Sequence, residues 1–338
     1  MIALLELRKV GVEYAARTGF RNQRLRVVDD VDLAIGRGEI VGLVGESGCG
    51  KSTLARTMVG LVRPATGQVL LDGEPLPDKR PAATRRRIQM VFQDPGSSLD
   101  PRHTVERILR VPLRLHHLAD RGREAARILE LLDLVGLPKR VLSSRSGALS
   151  GGQRQRVAIA RAVATAPDLI VADEAVAALD ASVTGAVLNV LADLRKELGL
   201  TVVFISHDLS VVRGLCDRVA VMYLGKVVEE ASAESLFTAP AHPYTRALLN
   251  AVPRVDVPLA APALLGDEPP SLLAPPSGCR FHPRCPAAYA PCSTTSPPIE
   301  RQGGRSVQCH LGFDFGSVMQ PDGVAGTCAG KGAESGEW

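Results

Sequence analysis

The sequence predicts an α/β fold: a mostly parallel sheet covered by crossover helices, followed by a small Cys-rich C-terminal extension. Three observations carry this reading. Short apolar runs rich in β-branched residues occur at Glu39–Val44 (EIVGLV), Leu169–Ala172 (LIVA) and Val202–Ile205 (VVFI), as in strands buried on both faces. Helical patterns separate them over Lys51–Val62, Gly151–Ala166 and Ala181–Glu197, the alternation that parallel crossovers need. The composition then changes: 14 of the 24 Pro fall between Pro240 and Pro298, and four of the seven Cys between Cys279 and Cys309.

The composition narrows the function classes. With 338 residues, 45% hydrophobic and 22% charged, the chain is too apolar to be disordered, and its Gly and Pro follow no collagen-like period. No apolar run approaches the about 18 residues of a membrane span, and Met1–Tyr14 mixes charges through its apolar residues, unlike a signal peptide. The expectation is a chain that stays in the cytosol. A net charge of +4, spread along the sequence, gives no case for nucleic acid. The organisation expected is a first domain over 1–255, a Pro/Cys-rich domain over 256–312 entered through an extended linker at Pro258–Ser277, and a flexible tail over 313–338. Cys216 reads as a core residue and Cys328 as a free thiol.

Gly45–Thr53 (GESGCGKST) matches the phosphate loop G-x-x-x-x-G-K-[ST] and sits between a strand pattern and a helix pattern. Gly48 and Gly50 let successive N–H groups converge on phosphate oxygens, beside the positive end of the next helix. Ser47, Cys49 and Thr53 complete the cradle. Lys51 is placed to reach the β- and γ-phosphates of ATP, and Ser52 to offer its hydroxyl to Mg²⁺. Cys49 reads as a small residue at a variable position, with a redox role as the less economical alternative. Asp168–Glu174 (DLIVADE) ends a strand in two acids. Following a phosphate loop, Asp173 is a candidate Mg²⁺ partner and Glu174 a candidate base for water.

Leu149–Gln153 reads LSGGQ and continues into a helix pattern, RQRVAIARA. Ser150, the Gly151 and Gly152 amides and Gln153 form a second anion-seeking helix start. Here the chain resembles the ATP-binding cassette family, whose signature is this pentapeptide. The resemblance implies a phosphate-loop core, an antiparallel β subdomain and a helical subdomain at about 94–165. It also implies a partner cassette, because each ATP lies between one subunit's loop and the other's signature. Residue by residue, Gln93 in MVFQDP resembles the glutamine that senses Mg²⁺ and the attacking water, and Ala178–Asp180 the loop that touches the partner cassette. His207 after FIS resembles the switch histidine, and Tyr14 the aromatic that stacks on adenine, with Phe20 as its competitor. The chain departs from the family at DEAVAALD, where Ala175 stands in place of the usual Pro and Ala177 where Ser or Thr is common.

The tail narrows the branch. Pro240–Pro253 (PAHPYTRALLNAVP) and Ser277–Pro286 (SGCRFHPRCP) resemble the segment after the cassette in oligopeptide, dipeptide and nickel importers, and the cassette motifs resemble the second, shorter ATPase of such a pair. Implied partners are a second ATPase subunit in a heterodimer, two transmembrane permeases and an extracytoplasmic substrate-binding protein, at the cytoplasmic face of the inner membrane. A soluble cassette ATPase acting on ribosomes or DNA is the remote alternative. Cys279, Cys285, Cys292 and Cys309 are spaced C-x5-C-x6-C-x16-C. Four thiolates in a loop-rich segment suit Zn²⁺ or an iron–sulfur cluster, and the absence of a C-x2-C pair tilts the choice from zinc. The importer branch implies a [4Fe–4S] cluster.

Overall fold

The computed structural model describes residues 3–18, 21–120, 122–177, 179–251 and 268–314. The Ala178 end of the ALD loop, Phe20, the first half of the expected linker (258–267) and the tail beyond Asp314, with Cys328, lie outside the described residues.

The chain opens with a long antiparallel pair, β1 (Leu5–Thr18) and β2 (Arg21–Ile35), whose inward residues Leu5, Leu7, Val28 and Leu33 are buried. β3 (Ile40–Val44) is buried along its whole length and feeds α1 (Lys51–Met58). This helix ends four residues before the expected Val62, because Gly60 turns left-handed (φ 81°) and the Leu61 amide reaches back to Arg56 O at 2.8 Å. The buried Arg80 guanidinium also donates to the carbonyls of Thr57 and Met58 at that end. β4 (Thr66–Leu71) and β5 (Glu74–Pro75) complete a four-stranded antiparallel sheet in the order β2-β1-β4-β5.

After α2 (Ala82–Arg87) and β6 (Ile88–Val91) comes a helical stretch: α3 (Pro95–Ser98), α4 (Val105–Leu115), α5 (Glu124–Leu134) and α6 (Gly151–Val163). Its apolar faces share one core, and Arg114 ties α4 to α5 through Glu124 at 2.8 Å. The α/β alternation then resumes with β7 (Leu169–Asp173), α7 (Ala181–Leu198), β8 (Thr201–Ile205), α8 (Leu209–Leu215) and β9 (Arg218–Tyr223). β10 (Lys226–Ser232), α9 (Ala233–Thr238) and α10 (Pro243–Asn250) follow, and a hairpin, β11 (Ile299–Gln302) and β12 (Arg305–Gln308), comes last.

The main sheet has the order β11-β12-β10-β9-β3-β8-β7-β6. From β9 to β6 the pairing is parallel; β10, β12 and β11 are antiparallel additions. The three apolar runs of the sequence are therefore central strands, each covered on both faces. The hairpin has no such run, and it enters the sheet through Glu229 opposite Val307 and Glu230 opposite Ser306. The segment 268–314 thus continues the main sheet, and its Phe281 lies in the principal core with Tyr223 and Tyr244.

His242 fixes the turn into α10. Its Nδ1 accepts the Tyr244 amide at 3.0 Å, so this nitrogen must be unprotonated, and burial pushes the imidazole pKa down to about 3. An unfolded His titrates near 6.5, so acid favours the unfolded chain between that value and about 3, and stability present above pH 6.5 is lost as pH falls. This group alone is expected to cost up to about 1.4 kcal/mol per pH unit in that window. Chemical denaturation at pH 7, 6 and 5 checks it: His242→Asn, which keeps a capping acceptor, should flatten the slope.

Candidate functional site

The site follows from strand order. In a parallel sheet, residues just past the carboxyl ends of neighbouring strands share one edge. β3 ends at Val44 and delivers Gly45–Thr53; β7 ends at Asp173, with Glu174 next; β8 ends two residues before His207; β6 ends two residues before Gln93. Three side-chain contacts tie all four of these elements together. Ser52 Oγ donates to Asp173 Oδ1 at 2.9 Å, Gln93 Nε2 to Glu174 Oε2 at 2.7 Å, and His207 Nδ1 lies 3.7 Å from Glu174 Oε1.

The loop itself is tightly built. Gly45, Gly48 and Gly50 take φ of 151°, 77° and 107°. Any side chain is strained in those conformations. A Cβ on Gly45 would strike the Met222 carbonyl, and one on Gly50 would lie 2.7 Å from the Val27 carbonyl oxygen. The Lys51 ammonium is held inside the turn, donating to the carbonyls of Gly45 (2.8 Å) and Glu46 (2.9 Å). Cys49 is buried beside it with its sulfur 3.8 Å from Lys51 Nζ; burial pushes the thiol pKa up, so at neutral pH it is a packed thiol rather than a thiolate.

The acids differ in setting. Burial pushes the Asp173 carboxyl up, against the opposing pull of the Ser52 hydroxyl. Glu174 follows it in a left-handed backbone conformation (φ 48°), unusual for a side-chain-bearing residue, with its amide on Ile205 O at 3.0 Å. That twist turns its carboxylate out of the sheet toward Gln93 and His207. Of the two positions where the sequence departs from the family pattern, Ala175 is buried behind it and Ala177 is exposed. Ser52 Oγ and Asp173 Oδ1 are hard oxygen donors beside the phosphate loop, a pair that fits Mg²⁺.

The signature residues stand apart. Ser150 accepts the Gln153 amide at 3.3 Å and its own amide donates to Gln153 Oε1 at 3.0 Å, capping α6. Gly152 is required because a Cβ there would strike Val183 on α7. Among the described residues, no hydrogen bond or ion pair joins Ser150–Gln153 to the phosphate loop. Tyr14 on β1 is 38% exposed and pairs with Leu25, two positions from Val27, whose carbonyl borders Gly50.

In the C-terminal segment, Cys279, Cys285, Cys292 and Cys309 line one small cavity with His242, His282 and His310. Burial pushes Cys285 up to about 12 and Cys309 up to about 11. The donor set suits a thiophilic metal or cluster, yet among the described residues no group of three or more His, Cys, Asp or Glu has the spacing of a coordination sphere. Cys216 is buried in the core as expected. The sequence reading missed Glu46, Tyr244 and Arg284: the Glu46 amide donates to Tyr244 Oη at 2.9 Å, and Arg284 holds the Glu46 carboxylate. These contacts join residues 198 and 238 positions apart, and no local pattern announces them.

Gly50→Ala meets both a forbidden φ and a backbone oxygen that cannot retreat. It is expected to lower stability by about 2 kcal/mol or more and to weaken ATP binding at least tenfold, read by thermal unfolding and by ATP titration.

Comparison with known proteins agrees with this geometry. Residues 28–177 match the family described as ABC transporter, and residues 228–292 match the oligopeptide/dipeptide transporter C-terminal region. The chain is 45% identical over 323 residues to a probable peptide ABC transporter ATP-binding protein of Sinorhizobium fredii, covering 91% of this chain and 90% of that one. It is 45% identical over 300 residues to a putative peptide import ATP-binding protein of Brucella ovis, covering 88% and 93%. Among solved structures it resembles cbiO1 of Clostridium perfringens, part of an ABC transporter complex (TM-score 0.62, 26% identity, 70% and 91% covered). It also resembles a dimeric ATP-binding cassette in a post-hydrolysis state bound to ADP and Pi (TM-score 0.60, 32% identity, 68% and 98% covered). The phosphate loop, the carboxyl-edge acids and these two matches together place the chain in the ABC transporter ATPase family, in the group that carries the oligopeptide/dipeptide transporter C-terminal region.

Proposed function

We propose that this chain is the ATP-hydrolysing subunit of an ABC importer that energises uptake of short peptides. The observation that carries the reading is the junction of a complete ATP-site edge with the oligopeptide/dipeptide C-terminal region in one chain. The relatives' description as peptide import ATP-binding proteins supports it.

In this reading the loop amides and Lys51 hold the β- and γ-phosphates, and Thr53 and Tyr14 complete the nucleotide contacts. Ser52 and Asp173, with Gln93 nearby, would hold Mg²⁺, which would supply positive charge to offset that of the phosphates. Glu174 orients a water; as its oxygen bonds the γ-phosphorus and the bridging P–O bond to ADP breaks, Glu174 takes the proton. The 2.7 Å contact from Gln93 fixes one Glu174 oxygen and leaves the other toward His207. Ser150–Gln153, remote from this chain's own loop, serves the ATP of a second cassette. Two cassettes, heterodimeric in our reading, then work beneath two permeases at the cytoplasmic face of the membrane, with cargo brought by an extracytoplasmic binding protein. No helix among the described residues is long and apolar enough to cross a membrane, which fits attachment through partners. The exposed Val111 and Leu115, one turn apart on α4, offer an apolar spot for such a contact. Nickel or another small peptide-like solute would use the same machinery.

We further propose that the four clustered cysteines hold a [4Fe–4S] cluster, with Zn²⁺ as the competing occupant. Anaerobic purification with metal and sulfide analysis decides this: about four iron and four sulfide per chain is expected. One zinc without iron contradicts the cluster.

Glu174→Gln keeps shape and the Gln93 contact but removes the base. ATPase turnover is expected to fall by about a hundredfold or more while Mg-ATP binding persists; unchanged turnover would remove Glu174 from this role. For the transport reading, the importer reconstituted with its permeases and binding protein should hydrolyse ATP faster when a di- or oligopeptide is added. Stimulation by nickel alone would shift the cargo, and stimulation by ribosomes or DNA would overturn the reading.

A further inference from the structure

Glu46 poses an electrostatic problem. It is the second residue of a loop built to hold a polyanion, and its own carboxylate is 19% exposed. An unpaired negative charge there would oppose phosphate binding and would be costly to bury. The chain answers with a residue from far along the sequence. Arg284, directly before Cys285 and so between the first two cysteines of the C-terminal cluster, makes a two-pronged contact with Glu46: Nη1 to Oε2 at 2.9 Å and Nη2 to Oε1 at 3.0 Å. Its side chain is only 4% exposed, so water does little to weaken the pair. Arg284 Nη1 also donates to Tyr223 Oη at 3.3 Å, and its guanidinium carbon lies 5.9 Å from the Tyr223 ring centre.

Two more contacts set the loop from the same side. Tyr244 Oη accepts the Glu46 amide at 2.9 Å, and the Tyr223 and Tyr244 rings pack with centres 4.6 Å apart. Four residues before Arg284, Arg280 donates to the Leu224 carbonyl and pairs with Asp29. Leu224 belongs to the β9–β10 turn, whose Gly225 amide donates to Cys49 O at 2.8 Å. The stretch Cys279–Cys285 therefore reaches the phosphate loop at two points: directly at Glu46, and at Cys49 through the turn.

We propose that Arg284 is a positioning residue for the ATP site, neutralising Glu46 and fixing the first turn of the phosphate loop, so that ATP affinity depends on the C-terminal segment. The claim rests on the ATP-binding reading but concerns a residue outside every nucleotide motif. Arg284 touches no phosphate; it acts through the charge and placement of Glu46.

The test is Mg-ATP affinity of the full-length chain by isothermal titration, with thermal unfolding of each variant and steady-state ATPase of the assembled importer. Arg284→Gln is expected to weaken ATP binding about tenfold and to raise KM with kcat changed less than about twofold. Glu46→Gln in the Arg284→Gln background removes the stranded charge and should return the affinity to within about threefold of the parent. Tyr244→Phe, which keeps the ring and removes only the acceptor for the Glu46 amide, should weaken binding by about threefold. Affinity unchanged in Arg284→Gln, or a double variant no better than Arg284→Gln alone, overturns the proposal. Should Arg284→Gln fail to fold, Arg284→Lys decides: it loses the two-pronged geometry, so weakened ATP binding at an unchanged melting temperature supports the proposal and unchanged binding overturns it. If wild-type chain binds no ATP, the nucleotide reading itself has failed, and that result is distinct from both.

Discussion

The phosphate loop is a sharp strand-to-helix turn that must present amides to a polyanion while sitting against packed backbone. Three glycines with positive φ satisfy that constraint, and at two of them, Gly45 and Gly50, the surroundings must stay fixed, because the Met222 and Val27 carbonyls occupy the space a side chain would need. The rest of the architecture arranges those surroundings. β3 holds the front of the loop at the centre of the sheet, between β9 and β8. α1 begins at its end, with Arg80 steadying the far terminus of that helix. β7 brings Asp173 to Ser52, and β9, β10 and α10 close the remaining side through Gly225 and Tyr244.

Strand order converts this local constraint into chemistry. Because β6, β7 and β8 are parallel neighbours, Gln93, Glu174 and His207 leave the sheet at one edge without any long loop to place them. The unusual backbone at Glu174 then aims the carboxylate across that edge instead of along it. Separation is as telling as convergence. Ser150 and Gln153 spend their side chains capping α6 and stay away from the chain's own loop, leaving the helix start presented outward. A site of this kind is completed by a second subunit.

How much of this was legible beforehand depends on the range of the interactions. The central strands are continuous apolar runs, and their limits in the structure lie within one residue of those read from EIVGLV, LIVA and VVFI. The loop and the acids were legible because each has a residue type and spacing that phosphate and Mg²⁺ chemistry demands, whereas Gln93 and His207 were reached only through the family resemblance. The end of α1 was misplaced because Gly60 acts as a left-handed stop, which an apolar tail, LV, masks in the sequence. The β11–β12 hairpin was not anticipated, since IERQ is exposed throughout and pairs by backbone rather than by burial. Arg284 and Tyr244 lie in segments the sequence singles out, yet their contacts with Glu46 were not legible, because those partners are fixed by tertiary packing.

The central claim is that the loop is already set before nucleotide arrives, held by the sheet on one side and by α10 and the C-terminal segment on the other. Amide hydrogen exchange across residues 45–52 of the nucleotide-free chain tests it most directly. The Glu46 amide, bonded to Tyr244 Oη, is expected to exchange slowly, with further protection of the glycine amides once Mg-ATP is added. Uniformly fast exchange through the whole loop until ATP binds would contradict it.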